Sequence, residues 1–377
     1  MRPTGLAVAL IPLLLMACDR PPPRSETAPA FVFRSLRLRH QDDRGRTGWE
    51  LSSPETRYDV RRRLARARNP LGVIHAKGSP LYRLSARSGT VLNDGQVILL
   101  EGQARIERLG PSPVLIQGRR LRWIPSRGEV LIDRSPQANT GPFRLLARRA
   151  TLFTTLDRLD LEGRPELQRW QEGRPIGRGS PEMVLSAGPV RWHPGTGALR
   201  AAGPVAMQRR PDGGPIGQAP QRLSAAGLVG NTSAQWLELG APVQIRDPAE
   251  TLQLSLGRVR LNLIDGTASS PDPFSGSQGR VRLRGRGLTF NQADHRISVS
   301  QGCHLQRPDA TLQARQCRWN WRDQSIAANG DVQLNDLRQG RTTRSQVLEG
   351  RLGEGAALTF SSPGGRVVSR MPVAAPR

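Results

Sequence analysis

The chain has 377 residues and a formal net charge of +25, and only one of its 56 basic residues, Lys77, is a lysine. No apolar run reaches the length of an ordinary membrane-spanning helix, and three cysteines are too few for a disulfide scaffold. Apolar and charged residues alternate through the body, which excludes a disordered chain. Arginine suits carboxylate and phosphate groups, although a genomic bias or solubility explains its abundance equally well.

The N-terminus has the features of an export signal. Residues 1–17 contain Arg2 and then an apolar stretch, which is typical of a signal peptide. The stretch ends in Leu-Met-Ala-Cys and resembles a bacterial lipoprotein signal, in which Cys18 is acylated; an ordinary cleaved signal is the alternative. Residues 18–31 predict an extended lipidated tether, and Asp19 resembles an inner-membrane retention signal. We therefore expect a periplasmic protein anchored to the inner membrane by an N-terminal lipid, without a nucleic-acid partner.

One motif recurs along the rest of the chain: an apolar residue, then Ala or Gly two positions later, then apolar residues at the sixth and eighth positions. The copies recur about every 33 residues. Alternate residues of a strand share a face, so this spacing keeps one face apolar only if a β-bulge adds a residue. A helix would need a different spacing. The copies begin at Leu84, Ile116, Leu145, Leu185, Leu223, Leu254, Leu283, Leu312 and Leu348.

Each copy is followed by a returning run of alternating apolar residues, several with a central glycine that predicts a bend. Turn signals such as Asn93-Asp94-Gly95 lie between the partners. The pattern predicts an all-β fold, an elongated, twisted antiparallel β-jellyroll built of about nine repeated bent hairpins. We expect its first part at 32–170, continuing repeats at 171–364 and a disordered tail at 365–377. Whether the repeats form one long jellyroll or two stays open.

The repeats resemble the OstA-like β-jellyroll family of lipopolysaccharide export, and within it the LptC proteins most closely. The resemblance covers roughly 32–360 and is carried by Gly48-Trp49, Leu84-Ser85-Ala86 and the run Gly95–Gly102. This chain departs from the family by having Cys18 where a transmembrane helix is usual, and by its longer body.

The resemblance implies a non-enzymatic component of lipopolysaccharide export. Such a component receives lipopolysaccharide from the LptF/LptG-LptB ABC transporter of the inner membrane. It passes the lipid toward the outer membrane along an apolar groove, to an LptA-like bridge joined by edge-strand β-augmentation. The alternative is a structural envelope lipoprotein whose β-stack binds partners or glycans.

The inward positions of the repeats are the candidate lipid-binding residues, because acyl chains need a dry apolar groove. Filling of an ordinary core is the competing interpretation. The candidates are Trp49, Leu51, Leu84, Val97, Leu99, Ile106, Ile116, Leu121, Trp123, Leu152, Leu159, Leu161 and Trp192.

Cys303 and Cys317 fall at inward positions of neighbouring strands and form either a disulfide or, as the sequence favours, two buried free thiols. The five histidines match neither a zinc-protease motif nor a catalytic triad, and His304 beside Cys303 lacks enough further ligands for a metal site. We therefore expect no catalytic residue, metal or cofactor.

Overall fold

A computed structural model describes residues 31–42, 44–111, 113–210, 219–351 and 357–371. The signal peptide at 1–17, the acylation site Cys18 and all but the last residue of the tether at 18–31 lie outside the described residues. Within them no helix is long and apolar enough to cross a membrane.

The described residues form 31 strands and two short 3-10 turns, Asn93–Gly95 and Pro125–Arg127. The strands are β1 (Phe31–Gln41), β2 (Thr47–Asp59), β3 (Leu64–Arg68), β4 (Leu71–Ala76), β5 (Ser79–Ser85), β6 (Ser88–Leu92), β7 (Val97–Arg108), β8 (Val114–Ile124), β9 (Glu129–Asp133), β10 (Gln137–Thr140), β11 (Phe143–Leu146), β12 (Arg149–Phe153), β13 (Arg158–Glu162), β14 (Glu166–Arg169), β15 (Met183–Ser186), β16 (Val190–Trp192), β17 (Ala198–Arg209), β18 (Gln221–Asn231), β19 (Trp236–Gly240), β20 (Val243–Asp247), β21 (Leu252–Leu256), β22 (Val259–Asn262), β23 (Thr267–Gln278), β24 (Val281–Asn291), β25 (Arg296–Gln306), β26 (Ala310–Ala314), β27 (Gln316–Asn320), β28 (Ser325–Asp336), β29 (Arg341–Arg351), β30 (Leu358–Ser361) and β31 (Val368–Arg370).

The strands form two facing layers, because the long strands bend midway and give one half to each layer. All pairings are antiparallel, and each short strand pairs within one layer. Layer A holds β4, β5, β10, β11, β14, β15, β20, β21, β26 and β31. Layer B holds β3, β6, β9, β12, β13, β16, β19, β22, β27 and β30. A layer of about twenty strands, each roughly 4.8 Å from the next, extends roughly 90 Å; the elongated, twisted antiparallel β-jellyroll is confirmed.

At several of the bends between the layers, two consecutive residues adopt the left-handed backbone conformation. In β7 these are Gly102 and Gln103, with φ of 75° and 54°, and Gly163 and Arg164 do the same after β13. Glycine adopts this conformation without steric cost. At Gly163 a Cβ atom would also lie 2.8 Å from the Cβ of Arg148. The bends predicted at the central glycines are therefore present.

The inward parity of β7 differs from the sequence interpretation. Val97 and Leu99, placed in the interior by that interpretation, are half-buried on the outer face, and the buried residues are Ile98 and Leu100. In β7 the even-numbered residues point inward on both sides of the bend. In its partner β8 the inward positions change from even-numbered to odd-numbered residues, where the register shifts by one residue. The prediction that Val97 and Leu99 face the interior was therefore wrong.

The strand pairing also bears on two predicted boundaries, the one between the two parts of the jellyroll and the start of the tail. Across residues 170 and 171 the pairing continues, since β13 bonds to β16 and β14 to β15, so the described strands form one continuous jellyroll. The expectation of a disordered tail from 365 was wrong for Val368–Arg370, which pair as β31 with β29. Residues 372–377 of that tail lie outside the described residues.

Candidate functional site

The interior between the two layers is the candidate site. Inward side chains of both layers form one apolar cluster along the described chain. One long side of this interior is closed by the bends. On the opposite side, which we call the mouth, the outer strand ends of layer A, such as those of β7, β14 and β17, meet the outer turns of layer B, such as those after β12, β18, β22 and β24.

In the N-terminal part, residues 31–168, the interior is closed and densely packed. Trp49 is half-buried and covers Trp123 edge-on, with ring centroids 5.3 Å apart. Apart from Val97 and Leu99, the other predicted inward residues, in this part and at Trp192, are at most 1% exposed. These are Leu51, Leu84, Ile106, Ile116, Leu121, Trp123, Leu152, Leu159, Leu161 and Trp192. Such residues are inaccessible to a lipid unless the layers separate.

A polar latch closes the mouth of the N-terminal part. It consists of Tyr82 and Arg108 from layer A and Asp157 from the layer B turn after β12. The Asp157 carboxylate accepts hydrogen bonds from the Tyr82 hydroxyl and from Arg108, whose Nε and Nη2 lie 3.1 and 3.0 Å away. Burial and this carboxylate raise the pKa of Tyr82 far above its ordinary value. The latch therefore joins the layers through a neutral phenol and a mostly shielded ion pair.

The middle part, residues 169–292, has an opening in the mouth. A cavity of about 110 Å³ lies between the layers there, comparable with engineered apolar cavities of about 150 Å³ that take up benzene. Its apolar lining comes from both layers. The buried members of this lining include Met183, Met207, Leu223 and Leu288. Its half-buried members are Ile245, Leu252, Leu261, Leu263, Ala268 and Phe290.

Two arginines of layer A reach across this opening. Arg169 donates from Nη2 to the carbonyl oxygen of Leu263, 2.8 Å away, and to the Gln235 side chain, 3.1 Å away. Arg209 donates to the Gln292 side chain at 2.6 Å. Both arginines line the cavity, so its edge combines cationic groups with apolar walls.

The Arg169 guanidinium is in an unusual environment for a cation. Its side chain is 9% exposed and pairs with Glu182. Its Nε is buried and has no hydrogen-bond partner among the residues that the structure describes. Burial, and then the charge of Arg209, lower the pKa of Arg169. The Arg169 guanidinium is therefore largely removed from water, and the positive charge of Arg209 further disfavours its charged form.

The two inward cysteines lie beyond this opening. The structure joins Cys303 of β25 to Cys317 of β27 in a disulfide, with 5.9 Å between the Cα atoms, so the preference for buried free thiols was wrong. Because Cys303 lies in the layer A half of β25 and Cys317 in layer B, the bond links the layers. Within the described residues no cluster of His, Cys, Asp or Glu is placed to hold a metal ion.

The sequence interpretation missed the latch and both arginines of the opening, although a signal was present. In β7, β14 and β17 the alternating inward residues continue into a final arginine, as in Ile106–Arg108, Leu167–Arg169 and Met207–Arg209. Such an arginine lies on the same face of the strand as the inward apolar residues and at the outer end of that strand. It therefore indicates a polar group that reaches across the mouth.

Fold and site together define a class of protein: an elongated antiparallel β-jellyroll whose two layers enclose an apolar interior with a polar mouth. Residues 6–119 match the family model "Lipopolysaccharide-assembly, LptC-related". The chain is LptC-like over this range, as the repeats indicate.

The similarity of this chain to a solved structure is weaker than its match to the family model. Among solved structures, the chain is similar to LptH of Pseudomonas aeruginosa, described as the LptA homologous periplasmic component of the conserved lipopolysaccharide transport device. That similarity has 12% identity and a TM-score of 0.26, and it covers 35% of this chain and 86% of LptH. No curated protein matches the chain.

Proposed function

We propose that this protein is a non-enzymatic component of lipopolysaccharide transport that holds the acyl chains of the lipid between its two layers. The family match over residues 6–119 supports the transport role. The observation that carries the proposal is the continuous apolar interior that opens at residues 169–292. Apolar lining that is partly exposed gains about 25 cal/mol for each Å² that an acyl chain removes from water.

The proposal extends to location and partners. The protein would act in the periplasm, held at the inner membrane by acylated Cys18, receive lipid from the LptF/LptG-LptB transporter and deliver it to an LptA-like bridge. The outer edge of β1, which pairs only with β2 among the described strands, would suit strand addition by a partner. Exposed Phe31, Val32 and Phe33 on this strand would add apolar contact.

Photo-crosslinking in living cells tests this function. A photoreactive residue replaces Phe290, which lines the cavity, and Thr289, the exposed neighbour on the outer face, serves as the matched control. We expect lipopolysaccharide adducts at 290 that depend on cellular ATP, and none at 289. A folded, exported protein that gives no lipid adduct at 290 would instead favour the structural envelope role.

A further inference from the structure

We propose that a row of exposed arginines at the bends of the N-terminal part is a docking surface for an anionic phospholipid membrane. We call this row the arginine corner, and it lies on the side of the jellyroll opposite the mouth. The inference rests on the proposed function for the location at the inner membrane, and it names the surface that faces that membrane. The arginine corner consists of Arg87, Arg119, Arg134, Arg148 and Arg164.

The arginine corner is continuous, because its residues lie where neighbouring strands cross from one layer to the other. Arg119 lies at the bend of β8, and the other four lie in the links from β5 to β6, β9 to β10, β11 to β12 and β13 to β14. The amide of Arg119 donates to the carbonyl oxygen of Arg134 at 3.4 Å, and the amide of Arg87 donates to that of Gly102 at 2.8 Å. The crossing at Gly102 and Gln103 is the one without an arginine. Crossings roughly 4.8 Å apart make this row roughly 24 Å long.

The arginine corner carries positive charge that the protein itself does not neutralise. All five side chains are exposed, and none forms an ion pair with an acidic group in the part of the chain that the structure describes. The adjoining row of layer B carries three carboxylates and two arginines, Glu101, Asp133, Glu162, Arg120 and Arg149. The adjoining row of layer A adds Arg105 and Glu166. The three rows together hold eight arginines and four carboxylates, an excess of four positive charges.

The bends further along the chain lack this charge. Arg258 and Arg286 both act on Asp272, and Arg315 pairs with Asp331 at 2.8 Å. Between the two regions the bends consist of alanine, glycine and proline, at 187–189, 202–204, 226–227 and 241–242. Among the described bends, arginines without an acidic partner are therefore confined to the N-terminal part.

A membrane fits this surface better than a small anion does. Guanidinium groups spread over roughly 24 Å can bond many phosphate headgroups side by side, whereas a small anion would contact one or two of them. The predicted tether, residues 18–30, extends at most about 45 Å. The crossing of Arg87 lies three strand steps, roughly 15 Å, from that of β1. An acylated Cys18 would therefore hold the arginine corner within reach of the headgroups and leave the mouth accessible.

Sedimentation with vesicles tests the arginine corner. Residues 19–377 are exported behind an ordinary cleaved signal, so that no acyl chain is attached. We expect binding to vesicles of equal parts phosphatidylcholine and phosphatidylglycerol, and none to phosphatidylcholine alone. The triple variant Arg119→Gln/Arg134→Gln/Arg148→Gln should weaken binding about a hundredfold, because each basic residue at an anionic surface contributes about fivefold. Each single variant should weaken it about fivefold, which covers the case in which the triple variant does not fold.

The charge-matched control is Arg246→Gln/Arg282→Gln/Arg318→Gln, at exposed positions on the outer faces of β20, β24 and β27. It should weaken binding less than about threefold, because salt screens distant charges. Equal weakening by the two triple variants would overturn the arginine corner, since net charge alone would then attract the vesicles.

Binding to both kinds of vesicle alike, or to neither, would also overturn the inference. Release of the chain from the vesicles by polyglutamate at a matching concentration of charge would do the same, and would indicate an anionic polymer as the partner. Lipopolysaccharide adducts at Phe290 in cells do not depend on these outcomes. A failure of the arginine corner is therefore distinguishable from a failure of the proposed function.

Discussion

The N-terminal and middle parts share one repeat but differ in how the layers meet at the mouth. In the N-terminal part, Trp49 over Trp123 and the latch around Asp157 close the interior, and the inward leucines are inaccessible. In the middle part, the corresponding edge is crossed by Arg169 and Arg209 and lined by half-buried apolar side chains. The same strand pattern therefore yields a packed core or an open cavity, depending on the residues at the outer strand ends.

The largest expected difference between the two parts is the cost of a truncated leucine. Leu152→Ala, in the packed part, should destabilise by about 3–5 kcal/mol because it leaves a cavity that cannot collapse. Leu261→Ala, beside the existing cavity, should cost about 1–2 kcal/mol. Urea unfolding followed by circular dichroism measures both. Equal losses would mean that the middle part is packed as densely as the N-terminal part.

The disulfide predicts the next largest effect, because it ties the layers together beyond the opening. Closing a loop with a sequence separation of 14 should contribute about 3 kcal/mol. Reductant should therefore lower the urea midpoint of the wild-type chain. The double variant Cys303→Ala/Cys317→Ala should start at the lower midpoint and not respond. A wild-type midpoint that ignores reductant would point to free thiols.

Opening the latch should make the N-terminal part more like the middle part. Asp157→Asn removes the charge that Arg108 and Tyr82 bind and should cost about 1–3 kcal/mol. Amide hydrogen exchange should quicken in β5, β7 and β13. The control is Asp331→Asn, which breaks the exposed pair with Arg315 and should leave exchange unchanged. Unaltered exchange in both variants would show that the latch does not hold the layers together.

The smallest effect is a pH dependence at the same latch. Tyr82 keeps its proton in the folded chain at pH values where the unfolded chain has lost it, so the unfolded state binds fewer protons. Stability should fall as pH rises above about 10, by roughly 1 kcal/mol per pH unit.

Tyr82→Phe should remove this slope, and Tyr58→Phe, at the half-buried tyrosine of β2, should keep most of it. Stability can be followed by urea unfolding at pH 9, 10 and 11. Identical slopes in the two variants would contradict the role given to Tyr82.

The repeat spacing was sufficient to predict the all-β fold, the bends and most inward residues, because strand parity and glycine conformation are local properties. It failed at Val97 and Leu99, since which strand of a hairpin switches parity depends on how both cross the bend. The opening could not be predicted from spacing, because it depends on contacts such as Arg169 to Leu263, between residues distant in sequence. The available signal for the opening was the arginine at the outer end of β14 and of β17, on the same strand face as the inward apolar residues.

The most direct test of the difference between the two parts uses the purified chain and lipopolysaccharide, without the transporter. A photoreactive residue is placed at Phe290 in one sample and at Trp123 in another, each with and without Asp157→Asn. We predict adducts at 290 in both backgrounds, and at 123 only when the latch is broken. Equal adducts at 123 and 290 with the latch intact would contradict a closed N-terminal part and an open middle part.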